Sequence, residues 1–139
     1  MPKKRVLILC TANSARSQMA HGLLNQMASD RFEVFSAGTT PSSVNPYAIR
    51  AMQQIEIDIR YHTSDSLQKY LDQPFDYVIT VCDKAAETCP IFPGSAIRLH
   101  WGFPDPAAVE GTDEVTLSSF ADVRDGLKTK LQEWLSTNP

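Results

Sequence analysis

Cys10 is followed after five residues by Arg16 and then Ser17, in the segment Cys10-Thr11-Ala12-Asn13-Ser14-Ala15-Arg16-Ser17. A thiol and a guanidinium at this spacing suit attack on a tetrahedral oxyanion. The N–H groups of a short loop entering a helix gather round an anion, the helix N-terminus adds positive potential, and Arg16 offers a planar fork. The same field is expected to lower the pKa of Cys10 toward the thiolate, which is the nucleophilic form. Ser17 is placed to donate its hydroxyl to that sulfur. Asn13 suits the left-handed backbone that a loop curling round an anion requires. The expected oxyanion-binding residues are therefore Thr11, Ala12, Asn13, Ser14, Ala15 and Arg16. A nucleotide-type P-loop is excluded, because the segment has neither glycine nor a Lys-Ser/Thr pair.

Two further cysteines, Cys82 and Cys89, flank Asp83-Lys84-Ala85-Ala86-Glu87-Thr88. They read either as packing thiols or as a redox pair. Ala85, Ala86 and Glu87 favour a short helix. A disulfide needs its Cα atoms within about 7 Å, so a bridge would have to bend or unwind that helix. Three cysteines without a Cys-x2-Cys pair do not match a structural zinc site, and no metal is expected. Asp105, between Pro104 and Pro106, reads on its own as a turn residue. Trp101 and Phe103 read as packing, and His62 and His100 as structural.

These residues need elements to position them, and the apolar pattern supplies an alternation of strands and helices. Val6 to Leu9 is a short apolar strand ahead of the Cys10 loop, and Met19, Leu23, Leu24 and Met27 mark a helix after it. Phe32 to Phe35 forms a second strand ending at Ser36-Ala37-Gly38, and Pro46 to Ile55 a second helix. Asp76 to Val81 is a third strand, rich in β-branched residues, and Ala96 to Leu99 a weaker fourth. A C-terminal helix runs from Leu117 to Leu135 through Phe120, Val123, Leu127 and Leu131, with Gly126 as its weak point. This order predicts an α/β fold, three layers with a four-stranded parallel sheet, and reactive loops at the strands' carboxyl ends. The Pro-rich stretch from Pro90 to Pro106 reads as a long shaped loop, so residues 1–139 are expected to form one domain.

Composition agrees with a soluble globular domain. The chain has 139 residues, 42% hydrophobic and 21% charged, which excludes disordered and fibrous classes. Its net charge of -3 gives no footprint for nucleic acid. The apolar run from Val6 to Cys10 is far short of the roughly 18 residues of a membrane span, and it is too short for a signal peptide. A cytoplasmic protein with reduced thiols is expected. No sustained heptad is present, so a monomer is expected.

Taken together, the Cys-x5-Arg-Ser loop and Phe103-Pro104-Asp105-Pro106 resemble the low-molecular-weight protein tyrosine phosphatase fold, and more closely its thioredoxin-coupled arsenate reductase branch. The resemblance extends through Ser36-Ala37-Gly38, Val44-Asn45-Pro46, Ile57-Asp58-Ile59, His62-Thr63-Ser64-Asp65, Cys82, Cys89-Pro90, His100-Trp101-Gly102-Phe103 and Val123-Arg124-Asp125. It implies that Cys10 attacks arsenate while Asp105 acts as general acid, that Cys82 then attacks Cys10, and that Cys89 attacks Cys82. The resulting Cys82–Cys89 disulfide would be reduced by thioredoxin, with no prosthetic group. Phosphate or sulfate would compete for the cradle.

This chain departs from the resembling proteins where they often carry Gly at the position of Ala12 and a second Cys at that of Ala15. The second change leaves Cys82 as the partner of Cys10. Some reductases of this branch hold potassium through positions matching Asn13, Ser36 and Asp65 plus an acidic residue where this chain has His21. A histidine is a poor ligand for a hard cation, so no such site is expected, and His21 reads either as pairing with Asp65 when protonated or as a solvated helix histidine. The alternative function is a phosphotyrosine-type phosphatase sharing Cys10, Arg16, Ser17 and Asp105. Ala107 and Ala108 in place of an entrance aromatic, and the two later cysteines, speak against it. A non-catalytic oxyanion carrier would need neither the clamp nor the resolving thiols.

Overall fold

Every residue of β1 (Lys4–Cys10) from Val6 onward is buried, and so is all of β3 (Tyr77–Thr80). Successive side chains of a strand point to opposite faces, so unbroken burial means that both faces of the sheet are covered. The computed structural model describes residues 3–89, 92–94 and 96–137. Pro90, Ile91 and Ser95, in the Pro-rich stretch, lie outside the described residues.

The sheet has the order β2-β1-β3-β4, with β2 (Phe32–Gly38) and β4 (Ile97–His100) at its edges. All three pairings are parallel. This is the expected three-layer α/β fold. The weak apolar signal of the fourth strand reflects its place: β4 is an edge with Ile97 53% exposed. α1 (Arg16–Ala28) packs on β1 and β2 and against α4 (Asp113–Thr137), and α2 (Pro46–Gln53) packs against α4 and α1. The short α3 (Asp83–Thr88) follows β3 and touches β1 and β3. Among the described residues, no helix is long and apolar enough to cross a membrane.

Helix ends differ from the periodicity reading for local reasons. α2 starts where the Asn45 side chain accepts from Tyr47 N at 2.8 Å, an N-cap that satisfies an orphan donor. It ends two residues before Ile55, because Glu56 takes a left-handed φ of 62° and the Ile57 N–H closes on Met52 O. α4 begins four residues before Leu117: the Thr112 hydroxyl accepts from Val115 N, and Asp113 and Glu114 occupy the positive first turn. Near its other end Leu131 is fully buried and Trp134 largely so, with Leu135 only partly covered. Trp134 stacks with Phe32, Tyr77 and Trp101. Arg124 ties α4 to α2, donating to Ala51 O and to Gln54 Oε1, both at 2.8 Å.

β1 and β2 end side by side, with Cys10 opposite Gly38. A Cβ on Gly38 would lie 2.5 Å from Thr11 O and 2.8 Å from Asn13 N, both backbone atoms of the Cys10 loop. Nothing flexible is available to yield. Gly38→Ala should therefore push the loop off the sheet, destabilise the fold by roughly 1–3 kcal/mol and weaken phosphate binding. Urea unfolding and a phosphate titration would check this. An unchanged midpoint with unchanged binding would show that the loop does not rest on Gly38.

Candidate active site

The loop from Cys10 to Ala15 has its carbonyls tied outward. Cys10 O accepts from Thr39 N, Thr11 O from Thr40 N, Ala12 O from Ser42 N, Ser14 O from Asn45 N and Ala15 O from Met19 N. Ser64 Oγ adds a second donor to Ala12 O, and Gln18 Nε2 reaches Asn13 O at 2.9 Å. In a trans peptide the N–H points opposite to the carbonyl. Fixing the oxygens outward thus turns the loop's N–H groups toward the cleft. The first turn of α1 adds its own unpaired donors, because its N-cap, Ala15, makes no side-chain cap. Converging donors of this kind are suited to an anion.

Asn13 is the centre of that arrangement. It is fully buried with φ 48°, the left-handed conformation expected of it. Its amide donates to Ser17 Oγ at 2.8 Å and accepts from Asp65 N at 2.9 Å. Ser17 is thereby engaged in shaping the loop. Accepting that bond leaves the Ser17 hydroxyl its own proton to donate. Gln18 also donates to Thr63 O, and its Oε1 accepts from Nδ1 of His62 at 2.9 Å. His62 is structural, as expected.

His21 does not pair with Asp65. Its Nδ1 lies 2.8 Å from Ser36 Oγ, and its ring sits 4.6 Å from that of His62. Burial first, and the neighbouring His62 second, push its pKa down to about 4, so the ring is neutral at physiological pH. Asp65 instead accepts from the Thr63 hydroxyl at 3.1 Å and faces Lys69 at 3.8 Å.

Cys10 and Cys82 are buried thiols. The Cys10 and Cys82 thiols interact, so they titrate as a coupled pair and not as two separate groups. The Cys10 pKa is raised, first by Cys82 and then by burial, against the opposing field of Arg16 and the Thr11 N–H. The Cys82 pKa falls to about 5, first through Cys10; burial opposes the fall, while the Thr11 hydroxyl, the Ala85 N–H and Arg16 assist it. Two adjacent sulfurs in one field cannot both ionise readily, so the pair holds one proton and one charge. The Thr11 hydroxyl lies 3.3 Å from Cys82 Sγ. Cys89, partly buried at the far end of α3, is raised by burial, with Arg98 opposing.

Arg16 donates from Nη1 to Phe103 O at 2.8 Å. Phe103 is in turn seated on α4, where a Cβ at Gly126 would lie 2.9 Å from its ring. The glycine that weakened the helix reading is the seat of the residue that holds the guanidinium. Asp105 is a turn residue whose carboxylate accepts from Ala107 N at 2.9 Å, and it also lines a cleft of about 310 Å³ with Cys10, Arg16, Asn45 and the loop. The structure therefore gathers Cys10, Arg16, Asp105 and Cys82, and leaves Cys89 to α3. Gln18, Ser64, Asn45 and Gly38 were not singled out as site residues, since each acts through backbone atoms that side-chain motifs do not report.

The chain matches the family described as low molecular weight phosphotyrosine protein phosphatase over residues 5–138. It is 44% identical over 137 residues to an arsenate reductase of Halalkalibacterium halodurans, covering 99% of each chain. Its fold is similar to that of a solved arsenate reductase in the phosphate-binding state, with TM-score 0.78 and 30% identity over 96% of this chain and 98% of that one. A thioredoxin-dependent arsenate reductase of Corynebacterium glutamicum is 26% identical with TM-score 0.73, covering 99% of this chain and 64% of that one.

Two measurements test the ionisation. The 240 nm thiolate absorbance should be present at neutral pH and vanish as pH falls through about 5, where Cys82 takes up its proton. Thr11→Val, which removes a donor to Cys82, should move that midpoint upward, and an unmoved midpoint would reject the Thr11 contribution. For His21, the folded pKa lies below the ordinary 6.5, so the unfolded chain binds the proton first. Its contribution to stability is complete above about pH 6.5 and is lost as pH falls toward about 4, amounting to about 3 kcal/mol. Urea unfolding across that window should show a flatter pH dependence in His21→Asn than in the wild type.

Proposed function

The chain belongs to the low molecular weight phosphotyrosine protein phosphatase family, and we propose that within it this protein is an arsenate reductase working through a relay of Cys10, Cys82 and Cys89. The observation that carries the reading is the Cys10–Cys82 thiol pair beneath the oxyanion cradle. Hydrolysis of a phosphate ester needs one sulfur, whereas two-electron reduction needs a second within reach of the first. Similarity to arsenate reductases along almost the whole chain supports the same conclusion.

The steps balance as follows. Hydrogen arsenate binds to the loop N–H groups and Arg16. Cys10 Sγ bonds to arsenic as an As–O bond breaks, and the departing oxygen leaves as water with the proton that Cys10 gives up, Asp105 acting as the group that delivers a proton to it. Cys82, already charged, attacks Cys10 Sγ. The S–As bond breaks with its electron pair on arsenic, which leaves as arsenite, reduced by two electrons, and takes up protons from water. The Cys89 thiolate then attacks Cys82 Sγ and expels Cys10 as a thiolate. A dithiol protein, for which thioredoxin is the proposed reductant, returns two electrons and two protons to the Cys82–Cys89 bridge. Ser17 contributes by holding Asn13, and through it the loop, in shape. The protein acts as a single-domain cytoplasmic monomer without a metal or prosthetic group, and phosphate and sulfate compete for the same cradle.

Arsenate-dependent NADPH oxidation with thioredoxin and thioredoxin reductase tests this directly. Turnover should fall to background in Cys10→Ser, Cys82→Ser and Cys89→Ser alike. If arsenate drives no oxidation while an aryl phosphate is hydrolysed in a reaction that needs Cys10, Arg16 and Asp105 only, the protein is a phosphatase and the relay is wrong.

A further inference from the structure

Cys82 and Cys89 are the two caps of α3, both in extended conformation. At about 1.5 Å rise per residue a helix of this length holds their Cα atoms roughly 10 Å apart, and a disulfide needs them within about 7 Å. Bridging therefore requires α3 to loosen. Whatever fastens α3 to the sheet opposes that step.

Ala85 is buried under the helix, and Asp83, its first residue, puts Oδ1 2.8 Å from Nε2 of His100. His100 ends β4 and is held from its other side, with Nδ1 2.8 Å from Oγ1 of Thr80, its partner in β3. The imidazole thus spans from the sheet to the first turn of α3. Gly102 gives the contact its room. A Cβ there would come 3.1 Å from Asp83 Oδ1 and 3.2 Å from His100 Nε2.

We propose that His100 is a positioning residue of the thiol relay: seated between Thr80 and Asp83, its imidazole latches the first turn of α3 to the sheet and keeps Cys89 away from Cys82 in the reduced enzyme. The inference rests on the relay proposed above. The latch is light, because the Asp83 side chain is 86% exposed and that of His100 42%, and exposed ion pairs contribute little. It biases the helix toward its wound form and yields when Cys89 attacks. In that step the Cys10–Cys82 bond breaks as the Cys82–Cys89 bond forms, with no outside oxidant.

The test is the redox equilibrium of the Cys82–Cys89 bridge in glutathione buffers, in which oxidised glutathione takes the two electrons. Bridges are quantified by thiol alkylation and peptide mapping, which separates Cys82–Cys89 from Cys10–Cys82. His100→Gln and Asp83→Ala should each favour the bridge by roughly two- to fivefold in the equilibrium constant, and the double variant should go no further than either single one. Gly102→Ala, which crowds the contact, should shift the constant the same way. Constants that stay at the wild-type value, or that add in the double variant, overturn the latch, and a lowered melting temperature with an unmoved constant does so too. If the wild type forms no Cys82–Cys89 bridge, the relay itself fails and the latch with it.

Discussion

The outward hydrogen bonds of the loop carbonyls are the constraint on which the site depends. A chain that curls round an anion must aim several N–H groups at one point, and unpaired donors so arranged repel one another until an anion arrives. Here Thr39, Thr40, Ser42, Asn45, Ser64, Gln18 and Met19 hold the oxygens from behind. The front of the loop therefore needs no ligand to keep its shape. Within the loop Asn13 takes the strained left-handed conformation, and its amide links the segments carrying Ser17 and Asp65.

The second organising interaction is the shared proton of Cys10 and Cys82. An isolated cysteine over a helix N-terminus would carry the charge itself. A second thiol alongside lets the charge settle where donors are most numerous, and Cys82 has the Cys10 thiol, the Thr11 hydroxyl and the Ala85 N–H. The pair thus shares one charge, drawn toward Cys82 by its donors, and one proton. Pairing suits a reaction in which sulfur attacks arsenic and is then itself attacked.

Much of this was legible in the residues because the relevant signals are local. Cys10, Arg16 and Asn13 lie in one loop, and loop geometry follows from residue type. The strand and helix order followed from apolar spacing, with errors only at ends set by caps, such as Thr112, or by a left-handed residue, such as Glu56. What could not be read was the identity of partners distant in sequence. His21 was matched to a carboxylate by charge, yet burial keeps it neutral beside Ser36 and His62. Ser17 was matched to the Cys10 sulfur, and its bond from the Asn13 amide was not foreseen. Gly126 carried a signal of helix weakness, and its meaning depends on Phe103, which no periodicity connects to it.

That seat for Phe103 has a bearing on how the chain comes to life. The bond that orients Arg16 spans 87 residues, and the ring behind it rests on α4 (Asp113–Thr137), the last helix of the fold. During synthesis the loop leaves the ribosome early, and its guanidinium has no anchor until most of the polypeptide has followed. Contacts of such sequence separation form late in folding. Competence to grip an oxyanion is thus withheld from the nascent chain and arrives together with tertiary completion.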